Sequence, residues 1–218
     1  MMKNREKDQK VEREVAAFLD KNLYSKLDIF SDFERTDTKE EQISGSDLIL
    51  STSDGLLYKN VIDEKVAIRY ANTGLETFAL ELSFINRNGS EMIGWFLDHT
   101  KKTEYYLLGW ITKADIPFDK EKKRWDVYSI NRNNIRELDW VLVSRRKIMK
   151  FLEESGWTLD RITRQCNKIR KNEGVRTNSF ISNVSFRYSP TYVEKPINIL
   201  LKKSTFFELA DLKGKISV

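Results

Sequence analysis

The chain is poor in the residues that cross-link, ligate soft metals or span membranes. Its one cysteine, Cys166, excludes a disulfide framework within the chain and argues against secretion. Its one histidine, His99, excludes a multi-histidine metal site. No apolar run approaches the ~20 residues that cross a bilayer, so no membrane partner is expected. The opening "MMKNREKDQK" is charged and has no apolar stretch of the secretory kind, which leaves a cytoplasmic protein as the expectation. Glycine (9) and proline (3) are too scarce for collagen-like or low-complexity structure. A large charge excess is missing too. The net charge of +5 tolerates a polyanionic partner without demanding one.

What is present supports a folded core: 11% aromatic residues offset the 33% that are charged. Residues 1–10 are polar and read as a flexible terminus, followed by one domain over 11–218. Val11, Val15, Phe18, Leu19 and Leu23 recur at helical spacing, and at 100° per residue Glu12 lies closer to that stripe than Glu14. A short strand is expected at "SDLILS", a longer one at "LLYKNVIDEKVAIRY" and another at "TFALELSFI". "EMIGWFLD" and "TEYYLLGWIT" suggest a hairpin around "HTKK", with His99 idle at its tip. Its aromatics fit sheet packing better than base stacking. "RWDVYSI" and "LDWVLVS" suggest further strands. Ser144 and Thr158 are N-caps for two helices stopped by Gly156 and Gly174. Two closing strands and a helix capped by Ser204 complete an α+β or mixed α/β pattern, with no linker and no repeat.

The stretch Gly45 to Tyr70 poses a question of charge. Asp63 and Lys65 share one face of a strand, roughly 6–7 Å apart, while Ile62, Val66 and Ile68 share the other. A hairpin with "SDLILS" brings Asp47 near Asp63, and two carboxylates that close repel unless a cation intervenes. Oxygen donors alone favour Mg²⁺ or Mn²⁺, and a neighbouring lysine can position water for phosphodiester hydrolysis. Taken singly, these residues also fit a solvated strand face with a weak ion pair.

The order of these pieces resembles the PD-(D/E)XK nuclease superfamily. A helix with Glu12 in "VEREVAAFLD" precedes "GSD" with Asp47 and "DEK" with Asp63 and Lys65. The likeness covers about residues 11 to 110, and its motifs are short. It implies a restriction-endonuclease-like core over 11–115, a mixed central sheet flanked by the N-terminal helix and C-terminal helices. It also implies Mg²⁺ or Mn²⁺ on Asp47 and Asp63, water oriented by Lys65, and Glu12 reaching the metal directly or through water. Ser46 replaces the usual proline, and Glu64 in "DEK" is itself acidic, though its parity sets it opposite Lys65. Glu81 joins the acidic cluster if its strand pairs beside the D-x-K strand; otherwise it is a core-edge glutamate. Gln42 touches substrate or satisfies the turn.

A second signal lies in 144–174. Arg161, Arg164, Lys168 and Lys171 form a basic stripe opposite Leu159, Ile162, Cys166 and Ile169. With the preceding helix it looks like a helix-turn-helix, and it suits phosphates as well as plain solvent. The expected function is a metal-dependent DNA endonuclease, with DNA favoured over RNA, or a degenerate relative. Two rivals stay open: a nucleic-acid-binding protein without catalysis, and an interaction module that kept the fold. A homodimer is compatible with double-strand cutting, but no stripe announces an interface.

Overall fold

The computed structural model describes residues 2–36, 38, 44–171 and 183–218. The chain divides into two compact units, neither continuous in sequence: residues 1–75, 103–143 and 210–218 form the first, and 76–102 with 144–209 the second. The chain passes between them four times without a Gly- or Pro-rich linker. That is why the sequence reads as one domain.

In the first unit, helix α1 (Met2–Leu19) buries Val11, Val15, Phe18 and Leu19. It begins at Met2 rather than Val11, because the charged residues before Val11 are good helix formers. A π-helical turn (Asp20–Tyr24) continues it and buries Leu23 and Tyr24. The unit's six-stranded sheet has the order β1 (Phe30–Arg35), β2 (Leu48–Thr52), β3 (Asn60–Val66), β6 (Tyr105–Ala114), β9 (Ile135–Ser144), β12 (Leu212–Ser217). The pairs β1–β2 and β2–β3 are antiparallel and β3–β6 is parallel, so the sheet is mixed. Its α1 face holds one apolar cluster, including Phe18, Leu48, Ile62, Leu107, Leu138 and Trp140. β6 is buried from Tyr106 to Ile111 without alternation, the mark of a strand covered on both faces.

β3 is shorter than its apolar pattern suggests. Lys59 takes a positive φ of 52° before it, and Ile68–Tyr70 form a 3₁₀ turn after it. "RWDVYSI" likewise gives only β8 (Arg124–Trp125), paired with β7 (Phe118–Asp119), and a 3₁₀ turn capped by Asp126.

The second unit carries a four-stranded sheet in the order β10 (Val184–Tyr188), β11 (Ile197–Lys202), β4 (Thr77–Ile85), β5 (Glu91–Ile93). The expected hairpin around "HTKK" is not formed: β5 pairs with β4, and β6 belongs to the other sheet. Gly94 marks the departure, since a Cβ there would collide with the Glu81 carbonyl group. Helix α2 (Arg145–Glu154) is capped by Ser144, which accepts from the Lys147 N–H. Helix α3 (Leu159–Arg170) is capped by Thr158. Its expected stop, Gly174, lies outside the described residues. Helix α4 (Lys203–Leu209) starts one residue before the expected cap Ser204, and beyond it the chain enters strand β12 rather than more helix. No helix among the described residues is long and apolar enough to cross a membrane.

Candidate functional site

The aspartate that opens β2 completes the sheet there. Where the β2–β3 pairing runs out at Leu48↔Ile62, Asp47 continues it: its N–H donates to the Ile62 carbonyl at 2.9 Å and its carbonyl accepts from Thr36 at 3.1 Å. The next donor along β3, the Glu64 N–H, meets the Asp47 side chain instead of backbone, donating to Oδ2 at 2.8 Å. Gly45, with φ of 79°, turns the chain into this position, and its carbonyl accepts from the Thr103 hydroxyl at 2.6 Å.

β3 then presents three charges in a row. Asp63 is buried, and the Lys65 ammonium donates to its Oδ1. Burial, reinforced by the neighbouring Asp47 carboxyl and opposed by Lys65, pushes Asp63 up to about 7. Lys65 moves the other way from what its burial alone dictates. Asp63 and Asp47, with Glu12 adding a smaller share, hold its ammonium protonated above the usual lysine range. Asp47, Asp63 and Lys65 therefore meet within the first unit, and Glu12 stands in electrostatic reach. Glu12 itself is exposed, whereas Glu14 is the less exposed of the two because Arg132 covers it with three hydrogen bonds of 2.9–3.0 Å.

The opposite face of β3 holds a group that spacing does not reveal. Glu64 accepts from the Tyr24 hydroxyl at 2.7 Å and from both terminal nitrogens of Arg35 at 2.6 and 3.1 Å. Arg35 in turn donates through Nε to both Asp20 oxygens and through Nη2 to the Ala16 carbonyl. Burial raises the Glu64 carboxyl and Arg35 opposes it. Burial and Glu64 together lift the Tyr24 hydroxyl well above its ordinary value. An acidic residue on a core face is the only signal for this network in the sequence. The partners of Glu64 lie 29 and 40 positions away on other elements.

The other expected residues lie on other elements or outside the described residues. β4 pairs with β11 and β5, not with β3, so the pairing that would bring Glu81 into the cluster is absent. Gln42 lies outside the described residues. Arg161, Arg164, Lys168 and Lys171 are all exposed on or just beyond α3. Arg161 is also used locally: it donates to the Gly156 carbonyl at 2.9 Å and covers the Trp157 ring at 4.3 Å. Cys166 is buried, and its thiol is pushed up to about 12 by that burial, as its place on the apolar stripe suggests.

No family model, curated protein or solved structure matches this chain. The site must be judged on its own donors. Among the described residues, no group of three or more His, Cys, Asp or Glu side chains is arranged to hold a metal ion. Asp47 and Asp63 still fit a hard divalent cation in kind: two adjacent carboxyls, one of them buried and raised, with Lys65 and the Glu64 N–H beside them.

Proposed function

We propose that the chain is a metal-dependent phosphodiesterase acting on DNA, built on a restriction-endonuclease-like core. One observation carries the reading: Asp47, Asp63 and Lys65 meet at the junction of β2 and β3. The supporting frame is a helix with Glu12, an antiparallel strand pair carrying G-x-D and D-x-K, and a mixed sheet.

In this reading Asp47 and Asp63 hold Mg²⁺ or Mn²⁺, with Glu12 reaching it directly or through water. The ion, when bound, supplies charge neutralisation and a nucleophilic water near neutral pH. Lys65, kept protonated by its acidic neighbours, orients that water and offsets charge building on phosphorus. The test is plasmid or single-stranded DNA incubated with either cation. Wild type is expected to cut, and Asp63→Ala and Lys65→Ala to lose about 10²-fold or more. No cutting by wild type with either cation, or full cutting by both variants, would exclude catalysis here.

A second reading has its own observation, the exposure of Arg164, Lys168 and Lys171. Under it the second unit binds nucleic acid backbone without cleaving. Salt-sensitive binding that charge reversal at Arg164 and Lys168 abolishes, with no cleavage, would favour it.

A further inference from the structure

We infer that Arg35 is a positioning residue for Asp47, acting through Glu64; as a contribution to hydrolysis this rests on the function proposed above. The geometry is a relay across β3. Arg35 is anchored at its base by Asp20 (2.9 and 3.0 Å) and by the Ala16 carbonyl (3.1 Å). Its two terminal nitrogens grip both Glu64 oxygens, and Tyr24 adds a third donor at 2.7 Å. The Glu64 side chain is thus held on the α1 face of β3, with 9% of it exposed. The same residue's N–H lies in the plane of the sheet and donates to Asp47 Oδ2.

Anchoring the Glu64 side chain restricts the motion of its backbone, and with it the aim of the N–H at Asp47. Arg35 also ends β1 opposite Leu48, next to Asp47, so it closes the relay from a second direction. Only a planar fork can engage a carboxylate through two parallel N–H bonds while a third nitrogen is anchored elsewhere; an ammonium cannot.

The test uses the full chain with Arg35→Lys and Tyr24→Phe, substitutions that keep charge or ring packing and leave residue 64 unchanged. Hydrogen exchange at the Glu64 amide is read by NMR against other amides of β2 and β3. About tenfold faster exchange at Glu64 alone is expected, the factor that loss of one hydrogen bond allows. In a cleavage assay kcat is expected to fall with KM for DNA unchanged. Glu64 exchange at the wild-type rate in both variants would overturn the inference, as would acceleration spread evenly over the sheet. Selective acceleration in a chain that cleaves nothing would leave the relay standing and remove the hydrolytic reading instead.

Discussion

Asp63 and Glu64 are neighbours on one strand, and the fold treats them in opposite ways. Glu64 faces the core side and receives three donor contacts from Arg35 and Tyr24. Asp63 is the more buried of the two, with 5% of its side chain exposed against 9%, but it is set beside a second carboxyl, with Lys65 as its donor. Burial costs both carboxylates hydration. Only Glu64 recovers it through a bidentate arginine. A charge so compensated is explained by the fold itself. A charge left in tension is where a role beyond the fold is sought.

The largest effects should separate the two. Arg35→Ala leaves Glu64 without its counter-charge and with the Tyr24 hydroxyl as its remaining side-chain donor, a loss of about 3–5 kcal/mol when pairing and burial are complete. A quarter of the Arg35 side chain stays exposed, so the lower end is expected in a denaturant titration. Asp63→Asn removes a carboxylate whose ionisation burial already opposes, while also taking the counter-charge from Lys65, so at pH 8 it is expected to cost much less than Arg35→Ala. Equal destabilisation by both would erase the distinction.

A smaller effect is the dependence on pH. Asp63 rises from 3.8 to about 7 on folding. Below about pH 4 it is protonated in both folded and unfolded chains. Between there and about 7 the unfolded chain releases its proton first, so the folded state loses stability as pH rises through that window. The cation proposed for Asp47 and Asp63 would reverse this loss. Adding Mn²⁺ should raise the melting temperature at pH 8 and barely at pH 5, and Asp63→Asn should flatten both trends. A melting temperature indifferent to Mn²⁺ at pH 8 counts against the site.

These contrasts show how far the sequence could be read. The face shared by Asp63 and Lys65, the approach of Asp47, the two helix caps at Ser144 and Thr158 and the α+β class follow from parity and local chemistry, and all are in place. The features that escaped depend on distant pairing. β6 leaves its sequence neighbour β5 to lie parallel to β3, and an unbroken apolar run does not name its partners. Arg35 could not be matched to Glu64 across 29 positions. The partner of the Glu81 strand was hidden for the same reason: it alternates from Phe78 to Leu82 as expected but pairs with β11.

The smallest expected effect provides the control for the comparison. Glu14 is as well paired as Glu64, with hydrogen bonds from the Arg132 Nε, Nη2 and backbone N–H, but the pair is at the surface, where half of Arg132 is exposed. Those bonds pull Glu14 down to about 2 from 4.5. A depressed carboxylate stabilises above its unfolded value, so the contribution is complete above about pH 5 and fades as pH falls toward 2. Water and salt screen such a pair, and holding two long side chains in register costs entropy. Glu14→Gln should therefore lower the melting temperature at pH 7 by much less than Arg35→Ala, and raised salt should shrink the difference further. If the two substitutions cost the same, the number of hydrogen bonds and not burial would decide what a carboxylate contributes, and the contrast between Glu64 and Asp63 would need another cause.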